Sequence, residues 1–353
     1  MEHVLIKILI PATTAFTIGI LITPIVTYYL FKHHVWKKQG GKKALYGQDA
    51  TEFNKLKGDG ETKTPRMGGI VIWGSILLTV VLLFILGRLL PQTIFSTLDF
   101  FSREQTWIPL STLILGAAIG FINDFYDVVH GGKGMRLPIR ITIISLLSGL
   151  IGYWFYAKLD VSSIGIPFDG SLYLGILIIP FFILLTNALY ASGVIDGIDG
   201  LSGGVFSSIF ASYAGVAIIQ AQFDIAALCA TIAGAILAFT WFNVPPARFW
   251  MTETGSMSLT LTLSVIVMMT DSLGSGHGVA LLAIIGLPLI ATVASNILQM
   301  SYRKITGKKL FRIAPLHHHF EAIGWPSYKV TMRYWIISII CAILGIIFAS
   351  IMQ

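Results

Sequence analysis

Several carboxylates in this sequence stand in patterns that suit phosphate or metal chemistry. In "FINDFYD", Phe121 to Asp127, the acids Asp124 and Asp127 are three residues apart, so on a helix they share a face. Acids beside long apolar runs are costly there and usually functional, which points to a Mg²⁺ ligand or a proton-transfer group. The plain alternative is a solvated helix end. "GVIDGIDG", Gly193 to Gly200, repeats the spacing with Asp196 and Asp199, and its glycines allow close backbone approach. Binding of a polar ligand or a metal fits that stretch, although a soluble loop could have the same composition.

"FNVPPARFWMTETGS", Phe242 to Ser256, contains a double proline that holds an extended loop. Phe249 and Trp250 suit either a membrane-interface belt or stacking on a planar base. Glu253 stands at an expected helix start, where a carboxylate complements the helix dipole or binds a metal. In "APLHHHFE", residues 314–321, His317, His318 and His319 are consecutive and precede Glu321. Imidazoles beside a carboxylate suit phosphate binding or proton handling near pH 7. Zinc has little support, because no H-x-x-x-H spacing or cysteine partner accompanies them.

The elements that must position these residues are apolar. The 353 residues are 55% hydrophobic and 12% charged, with a mean hydropathy of +0.79. A soluble domain averages about 25% charged residues, so the class is integral membrane protein. Ten apolar segments are expected as helices, at about 4–31, 67–90, 107–123, 138–158, 172–192, 201–220, 224–242, 256–272, 278–300 and 331–352. They lack the alternation of barrel strands. The first is too long for a signal-peptide core and is read as a retained span. The prediction is an all-α polytopic membrane protein with about ten transmembrane helices, forming one domain over 1–353. Cys229 and Cys341 both lie inside apolar runs, which argues against a disulfide framework.

Charge orients the bundle. Loops 32–66, 124–140, 193–200, 243–256 and 301–330 hold 19 of the 24 Lys and Arg residues, so these loops are expected on the cytoplasmic side, with both termini outside. The net charge of +7 is then topogenic, and no nucleic-acid partner is expected. Loop 32–66 alone has nine basic residues, suited to anionic membrane lipid, and ends in "TPRMGG" at Thr64 to Gly69. All the chemistry-bearing clusters fall on this face, as parts of one composite site.

Together these motifs resemble the polyprenyl-phosphate N-acetylhexosamine-1-phosphate transferase superfamily, and within it the phospho-N-acetylmuramoyl-pentapeptide transferase branch. The likeness runs through almost the whole chain and is strongest over residues 297–339, with "TPRMGG", "DGIDGL" and "FNVPPARFWM" in support. The resemblance implies a ten-helix protein of the bacterial cytoplasmic membrane, of a family whose members are often homodimers, with Mg²⁺ at a cytoplasmic active site. It implies UDP-MurNAc-pentapeptide and undecaprenyl phosphate as substrates, and lipid I and UMP as products. Carried over by position, Asp124, Asn123, Glu253 and His317 are the implied catalytic residues, with Glu253 and Asp124 as metal ligands. Asp196, Gly197, Ile198, Asp199, Asn243, Trp250, Arg140, His318 and His319 are the implied substrate-binding residues, with Trp250 on uracil. Lys133 matches a further basic position.

This chain departs from the family pattern in several places. Asn123 replaces an acid, and Glu253 an aspartate. Gly193 and Tyr190 replace asparagines, Asp127 stands where lysine is common, and Arg66 replaces a threonine. Two alternatives follow: a related transferase with another UDP-sugar or lipid, and a non-catalytic paralogue.

Overall fold

The computed structural model describes residues 2–37, 62–102, 104–131, 134–167, 170–273 and 276–352. Lys133 and most of the basic loop 32–66 lie outside the described residues. Each of the ten apolar segments contains a helix, although the one expected over 172–192 becomes α-helical only from Ile178, after a short strand and a 3-10 turn. The helices are α1 (Glu2–Lys32), α2 (Gly69–Leu89), α4 (Trp107–Val129), α5 (Leu137–Leu159), α6 (Ile178–Ser192), α7 (Leu201–Ile219), α8 (Phe223–Asn243), α9 (Thr252–Ser272), the pair α10 (Gly278–Ile285) with α11 (Leu287–Thr306), and α13 (Ser327–Ile351). Among the described residues there are two further short α-helices, α3 (Ile94–Leu98) and α12 (Leu316–Ala322).

Eight of these helices are long and apolar enough to cross a membrane. The ninth expected span is broken: α10 and α11 meet at a 73° bend. Its apolar composition runs through the break, but Gly286 followed by Pro288 at the start of α11 supplies the stop and restart. The remaining expected span, the eighth in chain order, is α9; it carries nine Ser and Thr residues, which lower its hydropathy. It is nevertheless the most enclosed helix, with every residue from Thr254 to Asp271 buried. Its hydroxyls are satisfied along its own backbone, as in Thr260 to Ser256, Thr262 to Ser258 and Thr270 to Ile266, at 2.7–2.9 Å. A helix with these internal hydrogen bonds sits in an apolar bundle without unpaired donors.

Helices α2, α4, α6, α7 and α10 surround α9, while α8 is held between α1 and α7. The outward faces are apolar, with Leu146, Leu150 and Leu184 66–70% exposed. In water such faces would be a liability; in a bilayer they meet their solvent. At the end of the bundle away from the acid clusters, strands β1 (Ser163–Gly165) and β2 (Ser171–Tyr173) form an antiparallel hairpin. Asp271, at the far end of α9, accepts hydrogen bonds from Gly165 N and Val279 N, both at 2.8 Å, and so fastens the hairpin to the bundle.

Candidate active site

The start of α9 organises the site. Its N-cap residue, Met251, offers no side-chain oxygen to the first free N–H groups of the helix. Two acids from other parts of the chain take that place. Asp196 Oδ2 accepts from Thr252 N at 2.9 Å, and Asp124 Oδ2 accepts from Thr254 N at 2.8 Å. Asp124 Oδ2 also accepts from the hydroxyls of Thr252 and Thr254, each at 2.6 Å. A carboxylate gains from helix N–H groups and from the positive end of the helix dipole, so these acids and α9 hold one another in place. Asp196 Oδ1 accepts from Ser202 Oγ at 2.7 Å. Its burial pushes the carboxyl above its ordinary range, and the Ser202 and Thr252 hydrogen bonds and the Arg66 charge offset part of that rise.

Close approach of α2 and α4 to this helix start depends on glycine. A methyl group at Gly120 would overlap the Glu253 carbonyl, and one at Gly69 would overlap the Gly255 backbone. Asn123, Asp124 and Asp127 are buried on the face of α4 turned toward the site. Asn123 Oδ1 accepts from Met135 N at 3.0 Å, and Asp127 Oδ1 from Gly134 N at 3.1 Å, so the pair pins the segment that leads into α5. Arg66 Nη2 lies 3.2 Å from Asp127 Oδ2 and 3.8 Å from Asp124 Oδ1.

Glu253 Oε1 pairs with the Arg140 guanidinium and stands 3.4 Å from the Tyr190 hydroxyl. The Arg140 guanidinium also lies 6.0 Å from the Tyr190 ring centroid. Arg66 with Asp127 and Tyr190 with Glu253 thus form two contacting pairs, and Arg140 joins the second.

Asp199 and Asn243 hold the 242–250 loop. Asp199 accepts from Ala247 N at 3.1 Å and from the Trp250 indole N–H at 3.0 Å. Asn243, 1% exposed, accepts from Gly200 N and donates to Phe249 O. Their described bonds fix the loop that presents Trp250. Ile198 is likewise turned into the apolar core, 4% exposed, leaving only its backbone for a ligand.

The histidines lie on the short helix α12, where consecutive residues diverge. His317 and His318 are buried, with ring centroids 4.3 Å apart. A Cβ at Gly197 would come within 2.7 Å of both Nε2 atoms, so these rings abut the Asp196–Asp199 loop. His318 Nδ1 is 2.7 Å from Glu321 Oε2, and Glu321 Oε1 accepts from Ser327 Oγ at 2.6 Å. His319 points elsewhere: its ring faces Phe311, and its Nδ1 accepts from Arg312 N at 3.3 Å.

The structure therefore brings Asn123, Asp124, Glu253, Asp196 and Arg140 to one place, with His317 and His318 against the adjoining loop. Sequence reasoning assigned no role in the site to Arg66, Thr252, Thr254 or Tyr190. The hydroxyls on either side of Glu253 were the available signal for the two threonines.

The donor set fits a hard divalent cation such as Mg²⁺. Asp124 Oδ1 is buried with no hydrogen-bond partner among the described residues, and Glu253 supplies a second carboxylate at the same helix start. Mg²⁺ commonly takes one or two protein carboxylates and completes its shell with water and substrate phosphate. Among the described residues no three His, Cys, Asp or Glu side chains form a closed metal cage.

Comparison with known proteins gives concordant matches. The family model for glycosyl transferase family 4 matches residues 106–271. A phospho-N-acetylmuramoyl-pentapeptide-transferase from Geobacillus sp. (strain WCH70) is 31% identical over 350 residues, covering 98% of each chain. The protein of that name from Anoxybacillus flavithermus is 32% identical over 347 residues, covering 96% of this chain and 97% of its own. The one from Listeria monocytogenes is 30% identical over 311 residues, covering 86% and 90%.

Proposed function

We infer that this chain, which belongs to the phospho-N-acetylmuramoyl-pentapeptide-transferase family, transfers phospho-MurNAc-pentapeptide from UDP-MurNAc-pentapeptide to undecaprenyl phosphate. An oxygen of the lipid phosphate bonds to the phosphorus that carries the sugar. The bond from that phosphorus to the bridging oxygen breaks, UMP leaves, and lipid I forms. The observation that carries this reading is the convergence of Asp124, Asp196 and Glu253 on one helix start, beside two arginines and the histidine helix.

The physical problem is repulsion between two anionic substrates. Arg66 and Arg140 supply fixed positive charge among the acids, and charge placed in advance needs no reorganisation during reaction. Asp124 and Glu253 would hold Mg²⁺, which when bound neutralises phosphate charge and polarises the phosphoryl oxygens. The lipid phosphate is already largely ionised near pH 7, so Asp124 serves to orient it and no strong base is required. Asn123 has no carboxylate; it fixes the segment before α5 through Met135 N. Trp250, with its indole N–H tied to Asp199, offers a held aromatic face for uracil. His317 and His318 would contact phosphate or the sugar-peptide portion. An apolar groove between α6 and the α10–α11 bend, lined by Leu185, Leu189, Leu282, Leu289 and Ile290, suits the prenyl tail. The site faces the cytoplasm in this reading, as the basic loops require.

Purified protein incubated with UDP-MurNAc-pentapeptide, undecaprenyl phosphate and Mg²⁺ should release UMP and form a lipid-linked product. Binding of the UDP substrate without turnover would favour a non-catalytic paralogue. Within this test, Trp250→Ala should weaken UDP-substrate binding by roughly 5- to 150-fold, since a base–aromatic contact contributes about 1–3 kcal/mol. Unchanged affinity would remove Trp250 from the uracil site.

A further inference from the structure

Arg66 is held more firmly than a residue at the end of a long basic loop needs to be. Its own N–H donates to Val35 O at 2.7 Å, and Pro65 O on its other side accepts from Trp250 N at 2.9 Å. Beyond it, Met67 N donates to Thr252 Oγ1 at 3.1 Å and Gly68 N to Trp250 O at 2.8 Å. The segment is thus strapped to the strand of chain that carries Trp250 and Glu253. Met67 at φ 66° and Thr252 at φ 53° face each other across this strap in the left-handed region, which costs non-glycine residues energy and recurs at functional sites.

From this anchored backbone the guanidinium reaches Asp127 at 3.2 Å and approaches Asp124 at 3.8 Å, beyond hydrogen-bond distance. Its Nε–H is buried and has no acceptor among the described residues; the same is true of Arg140 Nε. A buried donor without an acceptor is uncommon and calls for a missing partner. The Nε–Nη edge of a guanidinium matches two oxygens of a phosphate in a bidentate contact.

We propose that Arg66 is a substrate-contacting residue whose Nε–Nη edge binds non-bridging oxygens of a phosphate group beside Asp124. This rests on the transfer reading, in which two phosphate sources reach the site: the diphosphate of the nucleotide sugar and the phosphate of the lipid. Asp127 holds the guanidinium ready. The competing explanation is that Arg66 serves only to neutralise buried Asp127.

The test uses the full-length protein in detergent, comparing wild type with Arg66→Gln, Arg66→Lys, Asp127→Asn and the Arg66→Gln/Asp127→Asn double variant. The KM for UDP-MurNAc-pentapeptide is measured at saturating undecaprenyl phosphate, and the converse KM at saturating nucleotide sugar. Arg66→Gln should raise one KM at least tenfold and leave the other within twofold, which identifies the phosphate bound. Arg66→Lys should fall between, because it keeps the charge and loses the fork. The double variant should remain as impaired as Arg66→Gln. Recovery of the double variant to within twofold of Asp127→Asn would overturn the proposal, since charge neutralisation alone would then explain Arg66. Both KM values within twofold of wild type in Arg66→Gln would also overturn it. If Arg66→Gln does not fold, a KM unchanged in Arg66→Lys has the same force. Should wild type release no UMP, the transfer reading fails, and equilibrium binding of the two substrates replaces the rates. Tenfold weaker binding of either one to Arg66→Gln or Arg66→Lys then supports the phosphate contact, and equal binding of both sinks it.

Discussion

Asp124 shows how one side chain can be structural and chemical at once. One of its oxygens accepts three hydrogen bonds at the start of α9, and the other accepts none among the described residues. An asparagine here either turns its amide N–H₂ against the Thr254 N–H, where a donor meets a donor, or keeps its oxygen there and puts a neutral N–H₂ in place of the carboxylate oxygen nearest the Arg66 cation. Asp124→Asn should nearly abolish UMP release and cost about 1–3 kcal/mol of stability, read as a lower midpoint of thermal unfolding. Asn123→Asp should change turnover only modestly, because an aspartate there still accepts from Met135 N. Initial rates under matched Mg²⁺ and lipid compare the two variants with wild type. A gain of about 10²–10⁴-fold in Asn123→Asp, the scale of general-base catalysis, would make the natural chain a binding protein. The acids and histidines of the site were legible because their types are rare in an apolar chain and their spacings are short. The partners of Asp124 were not, since Thr254 lies 130 residues away and only packing brings the two together.

Helices place these side chains by how closely they approach, and glycine sets the limit. Gly120 of α4 lies against the Glu253 backbone, where a methyl group has no room. Gly120→Ala should push α4 from the start of α9, at about 1–3 kcal/mol for overpacking. It should also lower UMP release at least tenfold by parting Asp124 from Thr254. Wild-type rates with an unchanged unfolding midpoint would show that the helix start can shift to accommodate it. At this scale the positions of the helices were readable from apolar length, but their breaks were not. The α10–α11 bend is hidden in a continuous apolar run. The histidine segment reads as a loop from its proline and polar composition, yet Leu316–Ala322 is helical once its buried rings pack against Gly197 and Tyr334.

For the whole molecule, composition determined the class and the distribution of Lys and Arg predicted the orientation. The two native cysteines are buried, so single introduced cysteines report sidedness cleanly. Lys308→Cys, on the side of the acid clusters, should react with a membrane-impermeant maleimide only after permeabilisation. Ser171→Cys, in the opposite hairpin, should react in intact spheroplasts; the reverse pattern would invert the topology. Composition did not predict that the most polar of the ten expected spans would be the central one. Hydropathy scores the hydroxyls of α9 as exposed to lipid, whereas packing encloses them and the helix's own carbonyls satisfy them.

That enclosed helix bears on how the protein is made. A segment with nine hydroxyl residues and an acid near each end gains little by leaving the insertion machinery for lipid alone. Among its surroundings the helices α2, α4, α6 and α7 precede it in synthesis and are available when it emerges, while α10 closes over its far end afterwards. The order of the chain therefore builds most of the socket before the helix that fills it. Asp124 and Asp196 wait in that socket as the caps α9 lacks, so docking of the helix and assembly of the acidic centre are one event.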